Sequence, residues 1–241
     1  MPLSNEQRDK YFHSTFLKEI KEEGQIKLLN SHVAVIGCGG LASSLLIHLT
    51  SMGVGNITII DDDKVNLSNL PRQTIFTNKD IGLYKVDVSK KKLEALNNDV
   101  SIKSVKERLN ESNGHKLLKG FDIVIDCTDN FETKFLIDDL CHELNTPFIT
   151  AGVSDYQGQV CTCVPSKSKG FKSLFSVLPI NIDEKYKEED QGVFPPSIGV
   201  ISEIACSEAI KYLLGIGSLL LDQLLVVNLL TNKTQLIKFP K

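Results

Sequence analysis

Three glycines and one aspartate carry the clearest chemical signal in the chain. Gly37, Gly39 and Gly40 follow one apolar run, and Asp61 follows a second apolar run. Glycines let a backbone approach phosphate oxygens closely, and the N-terminus of the helix that follows supplies unpaired N–H donors. A carboxylate at the end of the second strand can accept hydrogen bonds from ribose hydroxyls. These residues therefore predict a nucleotide site.

The spacing of the glycines leaves more than one kind of nucleotide enzyme open. Gly37-x-Gly39-x-x-Ala42 fits the dinucleotide fingerprint, whose last position tolerates alanine. A nicotinamide-dependent oxidoreductase is therefore one interpretation, and residues further along the chain must decide.

The elements that position these residues alternate along the first part of the chain. Apolar runs at 32–36 and 57–60 predict buried parallel strands, and leucines at helical spacing predict a helix between them. Further strands are predicted at 101–105, 121–127 and 147–151, and helices at 85–97 and 131–144. This alternation predicts an α/β fold with a Rossmann-like, mostly parallel sheet flanked by helices, and ligands at the carboxyl ends of the strands.

We expect one domain over residues 1–241. An N-terminal helical segment at 1–30, with Phe12, Phe16 and Ile20 as one apolar stripe, precedes a nucleotide-binding half at 31–152 and a second half at 153–241. In the second half, we expect a strand at 158–164 and a hairpin at 224–230 and 234–239 to extend the sheet with antiparallel strands. An apolar helix is predicted at 197–214. Residues 165–196 are polar and turn-rich, which predicts a long functional loop.

Composition argues against several classes of partner. The formal net charge of −3 favours neither nucleic acid nor an anionic membrane, and no apolar run reaches the roughly 18 residues of a membrane span. The N-terminal residues contain no apolar signal core, so we expect a cytoplasmic protein. The six cysteines include no Cys-x-x-Cys pair, so we expect buried thiols and no structural zinc.

Six short motifs follow one another in order. They are Gly-Cys-Gly-Gly-Leu at 37–41, Gly-Val-Gly-Asn at 53–56, Asp-x-Asp at 61–63, Ser-Asn-Leu-x-Arg-Gln at 68–73, Gly-x-x-Lys at 82–85 and Asp-x-Thr-Asp-Asn at 126–130. Each motif alone is weakly specific. The ordered set resembles the ATP-dependent activating enzymes of the ThiF/MoeB/HesA family, relatives of the ubiquitin-activating enzymes. The resemblance runs from about residue 30 to the C-terminus.

This resemblance implies a homodimeric adenylyltransferase that uses ATP and Mg²⁺. Its substrate would be the C-terminal carboxylate of a ubiquitin-like carrier protein ending in diglycine, bound by residues 153–241 with its tail beneath the loop at 165–196. By resemblance, Arg72, Lys85 and Asp129 are catalytic, and Asp129 holds Mg²⁺. The nucleotide would contact Gly37, Gly39, Gly40, Asp61, Asp63, Ser68, Asn69, Leu70, Arg72, Gln73, Lys85, Thr128, Asp129 and Asn130.

Four departures from the family pattern narrow this expectation. Ala42 replaces the last glycine of the turn, and His13 stands where the family has an arginine that reaches the partner subunit's ATP. The two Cys-x-x-Cys pairs that bind zinc in many members are missing, and residues 164–205 contain no cysteine. We therefore expect adenylation without a following thioester or persulfide step.

Other functions stay open on the sequence alone. The same chemistry could act on a peptide-antibiotic precursor or on a modified adenosine in tRNA, or the chain could be a binding module without turnover. The nicotinamide interpretation is disfavoured by Arg72, Lys85 and Asp129, because a dehydrogenase needs no Mg²⁺ carboxylate and no triphosphate clamp.

Overall fold

An eight-stranded sheet runs through the computed structural model, which describes residues 2–176 and 192–239. The strand order is β3-β2-β1-β4-β5-β6-β7-β8. The strands are β1 His32–Ile36, β2 Asn56–Ile60, β3 Ser101–Val105, β4 Ile123–Asp126, β5 Phe148–Ser154, β6 Gln157–Cys163, β7 Gln223–Asn228 and β8 Lys233–Lys238.

The sheet is parallel from β3 to β5 and antiparallel from β5 to β8. The predicted fold class, mostly parallel with antiparallel strands added in the C-terminal third, is thereby confirmed. The register places Ile36 beside Ile60 on one side and beside Asp126 on the other. The residues that follow β1, β2 and β4 therefore leave the sheet along one edge.

Helices cover both faces of the sheet. They are α1 Asn5–Lys10, α2 Phe12–Thr15, α3 Lys21–Leu29, α4 Gly40–Ser51, α5 Lys85–Leu96, α6 Gly114–Leu118, α7 Phe131–Glu143 and α8 Pro195–Leu214. Side chains alternate along β1, so that Val33 and Val35 join a buried cluster with α4, α5 and α8. Ala34 and Ile36 join the opposite cluster, which includes α6 and α7. No described helix is long and apolar enough to cross a bilayer.

The N-terminal segment differs from the prediction of one apolar stripe. It forms three helices, and Phe12 and Phe16 are 51% and 78% exposed, whereas Ile20 is buried. Tyr11 is the anchor instead, since it is buried and its hydroxyl donates to Asp99 Oδ2 at 3.0 Å. The helical pattern is broken at the first residue of α3, where Lys21 adopts a φ of +53°.

Other predicted elements shift at their ends. Helix α6 was not predicted, and α8 begins at Pro195, earlier than predicted, because proline fits the first turn of a helix. Part of the predicted loop at 165–196 is ordered as a 3₁₀ turn, Phe171–Ser176, and its residues 177–191 lie outside the described residues. All six cysteines are free and buried, as expected.

Candidate active site

A cavity of about 1040 Å³ opens where the parallel strands end. Most of the predicted nucleotide-binding residues line it. They are Gly37, Gly39, Gly40, Asp61, Asp63, Asn69, Arg72, Gln73, Lys85, Thr128, Asp129 and Asn130. Ser68 and Leu70 do not line it, because Ser68 is exposed outside and Leu70 packs against the core.

The glycine turn forms the floor of this cavity. Gly37 has a φ of +85°, and a Cβ there would lie 3.0 Å from the carbonyl oxygen of Cys127. A Cβ on Gly40 would lie 2.9 Å from Ile198 Cδ1. Gly39 is the N-cap of α4 and has no side chain to cover the start of this helix. The first turn of α4 therefore faces the cavity. Because these glycines carry no side chain, a phosphate in the cavity can approach the backbone of the turn closely.

Asp61 fastens the glycine turn to the end of β2. Its Oδ2 accepts the Cys38 N–H at 2.7 Å, and its Oδ1 accepts the Asp63 N–H at 2.7 Å. Burial raises the pKa of this carboxyl. Each carboxylate oxygen has a second lone pair, so the predicted hydrogen bonds to ribose hydroxyls are compatible with these contacts.

Lys85 brings a buried cation to the same wall. Its Nζ lies 2.7 Å from Asp63 Oδ2, and the Lys85 side chain is only 6% exposed, against 66% for Asp63. Asp61, Asp62 and Asp63 offer carboxylate oxygens within 4.8 Å of one another, so Lys85 offsets part of their mutual repulsion. A bound phosphate would compete with Asp63 for this ammonium group.

The segment after β2 positions an arginine and two amides. Arg72 Nη1 donates to the Ser68 carbonyl at 2.8 Å, which folds the guanidinium back over a 3₁₀ turn. Asn69 is buried, and its Oδ1 accepts the Asn66 N–H at 2.9 Å. Gln73 is buried against the glycine turn, and its Oε1 has no hydrogen-bond partner among the described residues. A buried unpaired amide in the wall of a cavity is what a polar ligand would satisfy.

The turn after β4 presents the predicted magnesium ligand. Asp129 is exposed, and within the described part of the chain its Oδ1 accepts only a long hydrogen bond, 3.4 Å, from Asn130 Nδ2. Asn130 caps α7 by accepting the Thr133 N–H at 2.8 Å. Mg²⁺ prefers hard oxygen ligands and commonly uses one or two carboxylates together with substrate phosphates. The donor set around Asp129 therefore fits an ATP-bound Mg²⁺.

The cavity extends beyond the predicted residues. It continues along the connection between β5 and β6, where Tyr156 lines it, to Val193 and Leu230. It also contacts Lys134 on α7, whose ammonium is buried. Tyr156 and Leu230 meet only through antiparallel pairing of distant strands, which no local pattern reveals. The available signal for Lys134 was a lysine one turn past the helix cap and directly before two apolar residues, Phe135 and Leu136.

The fold and cavity define a nucleotide-binding α/β protein with an antiparallel extension beside its site. The chain belongs to the ThiF family, whose model matches residues 11–241. It is 34% identical to the SAMP-activating enzyme E1 of Haloferax volcanii, over 93% of this chain and 83% of that protein. It is 38% identical to the sulfur carrier protein ThiS adenylyltransferase of Escherichia coli, over 86% of this chain and 82% of that protein.

A solved structure has the same architecture. The crystal structure of E. coli MccB with MccA-N7isoASN superimposes with a TM-score of 0.86 at 25% sequence identity. The likeness covers 99% of this chain and 73% of MccB. The resemblance read from the six sequence motifs is thus confirmed at the level of family and fold.

Proposed function

We propose that the protein is an ATP- and Mg²⁺-dependent adenylyltransferase that activates the C-terminal carboxylate of a ubiquitin-like sulfur-carrier protein. A carboxylate oxygen attacks the α-phosphorus of ATP, the bond from that phosphorus to the β-phosphate oxygen breaks, and pyrophosphate leaves with the bonding electrons. The products are an acyl-adenylate and pyrophosphate. The observation that carries the proposal is the gathering of Arg72, Lys85 and Asp129 around one cavity with the glycine turn.

Each of these residues has a role that follows from its chemistry. The α4 N-terminus and the glycine turn bind phosphate oxygens, and Asp61 binds the ribose. Arg72 supplies a planar fork of donors to the phosphates. Lys85 supplies a point charge in the cavity wall, which a phosphate would share with Asp63 or take from it. Asp129 would hold Mg²⁺, which screens the negative charge of the phosphates when it is bound.

The half at 153–241 is proposed to receive the carrier. Large apolar side chains stand exposed beside the cavity mouth, with Tyr156 at 41%, Phe194 at 38% and Leu230 at 66%. The Tyr156 and Phe194 rings lie 5.0 Å apart. An extended tail of small residues could pass between this rim and the glycine turn. The names of the Haloferax and E. coli relatives support a protein acceptor of this kind.

The assembly and compartment are part of the same proposal. Phe12, Phe16 and Leu17 are 51%, 78% and 53% exposed, which leaves an apolar surface that a second copy of the chain would cover. We infer a homodimer that works in the cytoplasm, where ATP is available.

We further infer that the reaction needs neither zinc nor a covalent cysteine. Burial raises the pKa of Cys38 and Cys206 to about 12, and it also raises the pKa of Cys127. Thiols held protonated in this way are poor nucleophiles, and the sequence contains no Cys-x-x-Cys pair of the kind that structural zinc sites use.

A peptide acceptor is the second candidate, favoured by the likeness to MccB, which was solved with MccA-N7isoASN. Isotope exchange between pyrophosphate and ATP distinguishes the acceptors when the protein is given purified carrier proteins or candidate precursor peptides. We expect exchange with Mg²⁺ and a diglycine-ended carrier. Exchange with a precursor peptide alone would select the second candidate.

The role of Asp129 is tested in the same assay. Asp129→Asn should abolish exchange, because the amide loses the charge that holds Mg²⁺. Asp87→Asn is the matched control, since Asp87 is a half-buried acid outside the cavity that pairs with Lys106 at 2.7 Å. Undiminished exchange in Asp129→Asn would contradict the assigned role.

A further inference from the structure

A fully buried carboxylate lies behind the turn that carries Asp129. Asp126, the last residue of β4, is 0% exposed and accepts hydrogen bonds on both oxygens. Its Oδ1 accepts the Thr128 N–H at 2.9 Å and the Thr128 hydroxyl at 2.6 Å. Its Oδ2 accepts the Thr150 hydroxyl at 2.6 Å and Lys134 Nζ at 3.0 Å. One carboxylate thus ties the turn to a strand and a helix.

Lys134 has no donor left for a ligand. Besides Asp126, its Nζ contacts the Ala151 carbonyl at 2.7 Å and the Thr150 hydroxyl at 3.5 Å, so three acceptors face three N–H bonds. The side chain lines the cavity, but its ammonium group points to the protein. Removing one partner of a buried ion pair leaves the other charge uncompensated. Lys134 therefore acts on its neighbours and not on the nucleotide.

The orientation of the Asp129 side chain must be set by other residues. Its side chain is exposed and has a 3.4 Å contact with the adjacent residue, so its own hydrogen bonds do not hold it. The backbone that carries it is held at Thr128 by Asp126 and at Asn130 by the cap of α7. The first of these two points depends on Asp126 keeping its orientation, which Thr150 and Lys134 set.

We propose that Asp126, Lys134 and Thr150 are positioning residues that hold the turn at 127–130 so that Asp129 faces the bound nucleotide. This inference rests on the proposed role of Asp129 in binding Mg²⁺. Groups that hydrogen-bond to metal ligands change metal affinity by about 10- to 100-fold when removed, and the same logic applies to the backbone that carries a ligand.

Two threonines on neighbouring strands give a matched pair of variants. Thr150 is 3% exposed and Thr162 is 1% exposed, and each donates its hydroxyl to a buried carboxylate. Thr150 donates to Asp126 at 2.6 Å, and Thr162 donates to Glu208 at 2.5 Å, away from the cavity. Thr150→Val and Thr162→Val should therefore lower the Tm by similar amounts, and any difference between them reports on the turn.

The test measures Mg²⁺-dependent ATP binding and backbone exchange in the full chain. In calorimetric titrations, Thr150→Val should raise the Mg²⁺ concentration for half-maximal ATP binding about tenfold, and Thr162→Val by less than twofold. In hydrogen–deuterium exchange without ligand, amides at 127–130 should exchange at least tenfold faster in Thr150→Val only. Lys134→Met should behave like Thr150→Val, and Lys134→Arg should restore most of the wild-type behaviour.

Equal behaviour of the two valine variants in both measurements would overturn the proposal. Failure of the proposed function is recognised separately, with Asp129→Asn. If that variant leaves the Mg²⁺ dependence unchanged, the assigned role of Asp129 is wrong, and the inference about its positioning fails with it. The amide exchange rates at 127–130 in Thr150→Val and Thr162→Val do not depend on Mg²⁺. They therefore still show, in that case, whether the hydrogen bonds to Asp126 hold the turn.

Discussion

Replacing Lys85 by methionine separates the role of this lysine in the site from its role in stability. Lys85 pairs with Asp63 at 2.7 Å, but the Asp63 side chain is 66% exposed. Water therefore solvates that carboxylate when the lysine is removed, and methionine keeps an apolar stem in the wall. An exposed partner of this kind contributes little, but Lys85 also offsets part of the repulsion among Asp61, Asp62 and Asp63. We therefore expect the free energy of unfolding to fall by about 1 kcal/mol.

The effect on activity should be far larger. A phosphate charge about 4 Å from the Lys85 ammonium interacts with about 4 kcal/mol at the effective dielectric constant of about 20 that suits protein sites. A loss of that size in the transition state corresponds to about three orders of magnitude in rate. We expect ATP–pyrophosphate exchange with the carrier to fall about a thousandfold, while the Tm falls by no more than about 4 °C.

Lys92→Met is the control from the same helix. Lys92 Nζ lies 2.5 Å from Asp80 Oδ2 and 2.6 Å from the Ile75 carbonyl, and the Asp80 side chain is only 14% exposed. Its loss leaves a partly buried carboxylate unpaired, so this variant should lose stability and keep activity. Lys85 does not have the assigned role if Lys85→Met keeps more than about a tenth of the wild-type exchange rate. A loss of exchange rate in Lys92→Met as large as in Lys85→Met would also contradict that role.

Two other changes test the site floor and the N-terminal anchor. Gly40→Ala places a Cβ 2.9 Å from Ile198 Cδ1 and 3.1 Å from the Arg72 carbonyl oxygen. The glycine turn must shift to admit it, so calorimetry should show about tenfold weaker ATP binding. Gly199→Ala is the control, because the space around a Cβ at Gly199 is open, and this variant should bind ATP normally. At Asp99, burial acts to raise the pKa, but hydrogen bonds from neighbouring side chains outweigh it and the pKa is lowered. The stability that Asp99 provides is therefore present above about pH 4 and is lost as the pH falls through the lower pKa of the folded state. Between about pH 5 and pH 3, the Tm of Asp99→Asn should fall less than the Tm of the wild type. An equal fall in the two proteins would contradict this role of Asp99.

The sheet was predictable because each parallel strand is a short apolar run followed by polar residues. Residues 57–60 and the aspartates after them show both features, and the strand ends converge at one edge by the rules of parallel sheets. Most of the residues in the motifs that were predicted to bind the nucleotide therefore line the cavity. Ser68 and Leu70 fell outside it, because a 3₁₀ turn directs them to solvent and to the core.

Long-range polar contacts were beyond the reach of the sequence. Tyr11 is held by Asp99 and Asn97, so the N-terminal segment docks through a tyrosine and not through the phenylalanine stripe. The pairing of Asp126 with Thr150 likewise depends on the register of two strands that are separated along the chain by a helix. Periodicity identifies the apolar face of an element, but it does not specify which polar groups will meet across the fold.

Detection of the acyl-adenylate would establish the proposed adenylation directly. The protein is incubated with ATP, Mg²⁺ and a diglycine-ended carrier in the presence of pyrophosphatase, and the intact carrier is weighed by mass spectrometry. We expect a carrier heavier by one AMP in the presence of the wild-type enzyme and an unmodified carrier with Asp129→Asn. An enzyme that binds ATP and Mg²⁺ but adenylates neither carriers nor precursor peptides would contradict it.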